Sequence, residues 1–263
     1  MAASLFAILL FFVYTWGLGF SLGRLVKESE NFLERNLMRL GIGLSAFIVL
    51  GIVLNALRVP LDYRIFLLVS VACPAYCFLF RKGYKLIRFP SLKLKASDVT
   101  ALLMLAIFFW VFFMYASGAF RYPYLEDDDP WSHVRGMSYV SVEKTAFSNP
   151  YVNLQYIDPY PPGYDMLFGI IHQVSSSMYW TVKFFNALII SFSDVFFYFF
   201  AKEFTGNRNK ALFATFVLAS VPAFMSHFIW APALAMVVFF PTMYALEMIK
   251  HDKKWWLVSG VCF

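Results

Sequence analysis

The residues with the clearest chemical potential lie in one short acidic stretch, Tyr124–Arg135, which reads YLEDDDPWSHVR. Its four consecutive carboxylates, Glu126 to Asp129, repel one another unless a cation or solvent separates them. Mg²⁺ and Mn²⁺ prefer carboxylate oxygen ligands, and Mn²⁺ also accepts histidine. His133 lies four residues after Asp129, which is close to the same face of a helix. The carboxylates of this stretch are therefore candidate ligands for a divalent metal, Mg²⁺ or Mn²⁺.

The same stretch also fits a purely structural interpretation. Asp129 followed by Pro130 is typical of a helix start, with Asp as the N-cap residue and Pro in the first helical position. We expect this helix to continue to about Ala146. Residues 126–128 would then be solvated carboxylates beside a capping aspartate. Spacing alone leaves both interpretations open.

A second motif follows at Asp158–Tyr164, which reads DPYPPGY. Its prolines and glycine fix an extended turn that has little conformational entropy left to lose. Such a turn either closes a loop or holds Tyr160 and Tyr164 against the headgroup of a substrate. An apolar segment comes directly after it.

The composition indicates what kind of structural elements carry these motifs. Hydrophobic residues make up 60% of the 263 residues and charged residues 14%, and the mean hydropathy is +0.65. Soluble domains carry about 25% charged residues. We therefore predict an all-α protein, a polytopic transmembrane helix bundle in contact with membrane lipid. The formal charge of +6 then reports membrane topology and gives no reason to expect a nucleic-acid partner.

Apolar runs mark the candidate spans, since a span needs about 20 apolar residues. They occur at 4–23, 41–57, 65–80, 99–120, 163–174, 180–201, 211–225, 232–249 and 255–263. The run at 163–174 is too short to cross and contains Asp165 and His172. The last run stops after nine residues, so we expect the chain to end partway through a helix.

Basic residues give the orientation, because they are enriched on the cytoplasmic side. If 163–174 does not cross, 16 of the 22 Lys and Arg fall on one side and six on the other. If it crosses, this asymmetry collapses. We therefore predict about 7–8 spans, seven complete and an eighth cut short, in a multi-pass protein of the cell membrane. The N-terminus and the long loop 121–179, with its short helices, then lie on the extracytoplasmic face.

Taken together, these motifs resemble those of the GT-C class of membrane glycosyltransferases. The nearest resemblance is to the catalytic subunit of oligosaccharyltransferase and its single-subunit archaeal counterparts. The first external loop of that family carries an Asp-Pro-aromatic-x-His/Asn-x-Arg motif, which Asp129–Arg135 matches position for position. The family loop later carries a Tyr-Pro-rich turn before a helix that does not cross, as at 160–174. The resemblance implies a GT-C-like core at 99–263 and extra N-terminal transmembrane helices at 1–98.

What the resemblance implies about function is specific. The donor is a sugar or oligosaccharide on a polyprenyl (dolichyl-type) phosphate or pyrophosphate, and the acceptor is a protein or a glycan. Asp129, His133 and Arg135 are implied as catalytic residues. A divalent metal held by Asp129 and Asp127 would neutralise the departing phosphate, and Arg135 or His133 would donate hydrogen bonds to phosphate oxygens. Trp131, Tyr160 and Tyr164 are implied to contact the substrate.

One position departs from the family pattern. Where the family's second external loop carries an acidic motif, this chain has Ser226–Ala231, without a carboxylate. His227 is the residue there that can act as a metal ligand. Two other functions stay open at this stage. The chain could be a non-catalytic scaffold or assembly subunit that lost the second acidic motif, or a secondary transporter.

Overall fold

The computed structural model of the protein describes residues 2–80, 96–147, 154, 157, 160–221 and 229–263. Helices are the only regular secondary structure in these ranges. They are α1 (Ala2–Gly23), α2 (Phe32–Ala56), α3 (Tyr63–Phe80), α4 (Ala96–Arg121), α5 (Asp128–Glu143), α6 (Gly163–His172), α7 (Met178–Thr205), α8 (Arg208–Ala219), α9 (Ala231–Met248) and α10 (Trp255–Cys262).

Six of the described helices are long and apolar enough to cross a membrane: α1, α2, α3, α4, α7 and α9. This confirms the prediction of an all-helical protein with apolar spans. Each of these helices coincides with a predicted run, although α2 begins at Phe32, nine residues before its run. The early start adds Glu34, Arg35 and Arg39 to its first turns, where the chain is still polar. The run at 211–225 is described only as α8, which ends at Ala219.

Close packing of α1 against α2 and α3 depends on glycine. A Cβ atom at Gly43 would collide with the backbone carbonyl of Thr15, and one at Gly19 would collide with that of Arg39. A Cβ atom at Gly17 would meet the carbonyl of Ser70 in α3. Small residues let helix backbones approach closely, which is the usual way that membrane helices associate. The N-terminal helices are therefore packed backbone to backbone.

Helix α7 is the centre of the bundle. It is buried along most of its length and packs against α4, α8 and α9. Its aromatic side chains contact rings on several neighbouring helices, as Phe192 does with Phe108 of α4 and Phe197 with Phe240 of α9. Helix α7 is therefore the scaffold against which the polar ends of the bundle are arranged.

Polar contacts collect at two ends of the bundle. At the basic end, they join residues 24–39, 202–210 and 250–255; Lys202 pairs with Glu34, and His251 lies 2.6 Å from Glu203. At the acidic end, they join residues 55–64, 121–147, 173–183 and 231. There Lys144 pairs with Asp62 at 2.5 Å, and Gln173 donates to the carbonyl of Leu61 at 2.6 Å. Helices α5 and α6 lie at the acidic end.

Candidate functional site

The acidic residues Glu126–Asp129, here called the acidic rim, lie at the N-terminus of α5. Asp127 is the N-cap residue, and its side chain accepts a hydrogen bond from the backbone N–H of Asp128 at 2.8 Å. The Asp128 side chain accepts from the N–H of Asp129 at 3.1 Å. Glu126, Asp127 and Asp128 are exposed, and Asp129 is half-buried. The unpaired N–H groups and the dipole of a helix N-terminus favour carboxylates at this place.

The predicted helix start was wrong by two residues. The N-cap is Asp127 rather than Asp129, so Asp128 and Asp129 both lie in the first turn. Pro130 is then the third helical residue, where its missing N–H costs no intrahelical hydrogen bond. Asp129 keeps a half-buried carboxylate close to the packed side of α5, and its role as a ligand or catalytic residue stays a prediction.

His133 lies inside the protein, on the buried side of α5. It is 1% exposed, its Nδ1 is 2.7 Å from Oδ1 of Asp165, and its Nε2 accepts from the backbone N–H of Ala231 at 3.3 Å. Because Nε2 accepts, the ring proton of the neutral imidazole is on Nδ1 and is donated to Asp165. Both nitrogens are therefore occupied. The ring joins α5, α6 and the first residue of α9, and its catalytic role stays a prediction.

Asp165 is a residue of this site that sequence reasoning did not select. It is 1% exposed, and burial raises its pKa to about 6, while the hydrogen bond and charge of His133 oppose that shift. Gly136 makes room for it, since a Cβ atom there would collide with Oδ2 of Asp165. The available signal was a carboxylate in a short apolar run, which we used only to argue that the run does not cross.

The two tyrosines of the proline-rich turn have different surroundings. Tyr164 is 2% exposed, its hydroxyl donates to Asn186 at 2.8 Å, and its ring meets His133 edge to face at 4.9 Å. Burial and then the charge of Asp165 raise the pKa of Tyr164 well above its ordinary value. Tyr164 is therefore held inside the bundle by its own contacts, and its contact with substrate stays a prediction. Tyr160 is half-buried, 6.4 Å from the ring of His133, and its substrate contact stays a prediction.

Arg135 and Trp131 lie on the outer surface of α5. Arg135 is six residues after Asp129, which places it about 120° away around the helix, and it is exposed. The structure therefore does not bring Arg135 beside Asp129. Trp131 is 40% exposed and packs edge to face on Tyr179 of α7 at 5.7 Å. An accessible, fixed aromatic ring next to the acidic rim is compatible with the predicted substrate contact.

Lys183 is the second residue that sequence reasoning missed as a site residue. It lies in the second turn of α7, is 4% exposed, and donates to the carbonyl of Tyr122 at 2.6 Å. It shares a small cavity with Glu126 and Pro130. A charged side chain inside an apolar span is rare and marks a function by default. Lys183 therefore brings a buried cation next to the acidic rim.

The predicted metal site depends on which ligands the fold brings together. Within the described residues, no three His, Cys, Asp or Glu side chains come together as a metal-binding group. His227 lies outside the described residues, and His133 is engaged elsewhere. The rim still presents the carboxylates of Asp127 and Asp129. Mg²⁺ is commonly held by one or two carboxylates together with substrate phosphates, so the rim fits a cation that arrives with a phosphorylated substrate.

The fold and its apolar helices define the class of the protein. The described part of the chain is all-helical, and the six long apolar helices found in it indicate an integral membrane protein with a carboxylate-rich end. No family model, no curated protein and no solved structure is similar to the chain.

Proposed function

We propose that this protein is a GT-C-type membrane glycosyltransferase that uses a sugar carried on a polyprenyl phosphate or pyrophosphate. The observation that carries the proposal is the acidic rim, which is exposed at the end of the bundle only a few residues beyond the apolar helix α4. A lipid-linked phosphate at the membrane surface would meet carboxylates and a buried lysine there. The acceptor is a protein or a glycan.

The proposed topology has about seven to eight spans, with the rim on the extracytoplasmic face of the cell membrane. The separation of polar contacts supports it. Residues that the charge argument puts on one side contact one another, as Glu34 does with Lys202 and Lys144 with Asp62. Helix α6 supports it too: the hydroxyl of Tyr164 in its first turn donates to Asn186 of α7, and Gln173 just after its end accepts from the N–H of Tyr63, the first residue of α3. Since Gln173 lies at the acidic end and Asn186 lies in the third of α7 nearest to that end, both ends of α6 are on the acidic side of the bundle. Helix α6 therefore fits the loop helix that does not cross.

Each residue of the rim has a distinct proposed role. Asp129 is the main acidic group, and Asp127 supports it while capping α5. A divalent cation held there with the donor phosphate would neutralise charge on the departing phosphate. Lys183 offers a second positive charge near the same place. His133 and Asp165 hold α5 against α6 and α9, and so fix the direction of the rim.

The test compares two carboxylates of the same helix. Asp129→Asn in the full-length protein, reconstituted with polyprenyl-phosphate- and pyrophosphate-linked sugars, should lower sugar transfer at least about 100-fold, as loss of a charge-stabilising group does. Glu143→Gln is the matched control, because Glu143 is exposed at the far end of α5. Transfer is measured as radioactive sugar leaving the lipid fraction. If Asp129→Asn transfers as fast as Glu143→Gln, the proposed function is wrong.

A further inference from the structure

The basic end contains a cavity that the proposed chemistry does not use. It has a volume of about 140 Å³ and lies among α2, α4, α7 and α8. Its polar lining comes from Asn31, Glu34, Thr100, Lys202 and Arg208. This end is opposite the acidic rim, so the cavity is a separate feature of the bundle.

The charges around this cavity leave a net positive site. Glu34 is 2% exposed, pairs with Lys202 and accepts a hydrogen bond from the hydroxyl of Tyr244 at 3.1 Å. Its negative charge is therefore compensated inside the protein. Arg208 is exposed in the first turn of α8 and forms no ion pair within the described residues. An anion that enters the cavity meets this guanidinium and the partly exposed ammonium of Lys202.

An apolar groove lies next to the cavity, along α4 and α8. It has a volume of about 760 Å³ and is lined on α4 by Leu103, Ala106, Ile107 and Trp110. The facing wall on α8 begins at Asn209, the residue after Arg208, and runs to Ser220. On α4 the lining of the cavity ends at Ala101, about half a turn before Leu103. The basic cavity and the apolar groove are therefore neighbours along the same two helices.

The dimensions of the groove match one leaflet of a membrane. From Asn209 to Ser220 the groove follows 11 residue steps of helix, which is about 16 Å at 1.5 Å per residue. Half of the hydrocarbon core of a bilayer is about 15 Å thick. The basic residues thus lie where lipid headgroups begin, and the groove reaches to about the middle of the bilayer.

We propose that an anionic phospholipid of this leaflet binds here as a specific ligand. Its phosphate group binds Arg208 and Lys202, and one acyl chain lies in the groove between α4 and α8. Basic pockets between membrane helices recognise anionic headgroups in this way. The complementary charge selects anionic over zwitterionic lipids, and the groove selects a lipid over a free phosphate ion. This site is independent of the proposed glycosyltransferase activity.

The headgroup is tested by lipid titration of the purified, delipidated protein, followed by native mass spectrometry. Phosphatidylglycerol should bind more tightly than phosphatidylcholine with the same acyl chains. Arg208→Gln should lower the affinity for phosphatidylglycerol about fivefold, as expected for the loss of one basic residue near a lipid surface. Lys253→Gln removes the same charge from an exposed position elsewhere at the basic end and should leave the affinity unchanged. Equal binding of the two lipids, or equal losses in the two variants, overturns the proposal.

The groove is tested with a variant that fills it. Ala106 is exposed toward the groove, so Ala106→Trp blocks the acyl chain without disturbing the buried side of α4. This variant should bind phosphatidylglycerol with at least fivefold lower affinity, and its thermal unfolding temperature should be unchanged. Inorganic phosphate should not displace the lipid at millimolar concentration. Full displacement by phosphate, or unaltered binding by Ala106→Trp, shows an ion site only and overturns the proposal.

Discussion

The two ends of the helix bundle differ in what their charged side chains contact. At the basic end, charged side chains are paired with one another and partly buried, as Arg39 is with Glu28 and Lys202 with Glu34. At the acidic end, Asp127 and Asp128 are exposed and accept hydrogen bonds from backbone N–H groups of their own helix. The buried polar groups there, His133 and Asp165, lie beneath the rim and join helices.

This difference separates charge that stabilises the fold from charge that is available for chemistry. Breaking a buried ion pair leaves an uncompensated charge and costs several kcal/mol, whereas exposed charges contribute little. Substitutions of paired charges at the basic end should therefore lower the unfolding free energy of the protein. Substitutions in the acidic rim should change the unfolding free energy little and should lower the activity. Three stability measurements test this contrast.

The largest expected effect is at Arg39. Its guanidinium binds both carboxylate oxygens of Glu28 and lies over the ring of Phe20 at 4.9 Å. Arg39→Ala removes these contacts and should cost about 3–5 kcal/mol of unfolding free energy. Denaturation in detergent micelles measures this loss. Arg64→Ala, at an exposed position of the opposite end, is the control and should leave the unfolding free energy nearly unchanged. Equal losses of unfolding free energy in the two variants would contradict the proposed difference between the two ends.

A smaller, pH-dependent effect is expected at Asp165. Its pKa is raised from 3.8 to about 6, so the folded state holds this proton more tightly than the unfolded state. That contribution to stability is fully present below about pH 4 and is lost as the pH rises through 6. Asp165→Asn should therefore gain stability relative to the native protein between pH 4 and 7, by up to about 3 kcal/mol. Thermal unfolding across this range measures the difference.

Asp62 provides the control of opposite sign for that measurement. The hydrogen bond from Lys144 is the main cause that lowers the pKa of Asp62 below 3.8. Its contribution is therefore present above pH 4 and is lost as the pH falls below that value. Asp62→Asn should lose stability relative to the native protein as the pH rises from 3 to 5. If both variants follow the same trend, the pKa of Asp165 is not raised.

The smallest effect is expected at the acidic rim. Asp128→Asn removes one exposed carboxylate from the first turn of α5 and keeps an acceptor oxygen. It should cost about 0.3–1 kcal/mol at low salt and almost nothing at 1 M salt, because the helix-terminus interaction is screened. A salt series of thermal unfolding measures it. A loss above about 2 kcal/mol would mean that this carboxylate is structural.

Much of the helical framework could be predicted from the sequence. Each of the nine apolar runs overlaps a helix, including the short α6 and α10. Length and hydropathy suffice here, because a backbone in hydrocarbon must satisfy its hydrogen bonds within the segment. Boundaries were less reliable. Helix α2 starts nine residues before its run, because apolarity marks what lipid covers and not where the helical hydrogen bonds begin.

The candidate site could be predicted only in part. The acidic rim, Trp131 and the start of α5 to within two residues followed from the motif. The surroundings of His133 and Tyr164 did not, because the same side chains suit a solvent-facing site and a buried hydrogen-bond network. Asp165, 32 residues after His133, and Asn186, 22 residues after Tyr164, supply the partners that decide between them. Such pairings between distant residues leave no local pattern.

The sequence by itself determined that this is a helical membrane protein with a carboxylate-rich segment just after an apolar helix. Hydrophobicity, periodicity and the order of charges are local properties, and lipid converts them directly into helices. Only the tertiary structure decided which polar residues are buried together. Burial raises the cost of an unpaired polar group, so His133 turned inward to Asp165 while the carboxylates of the rim remained in water.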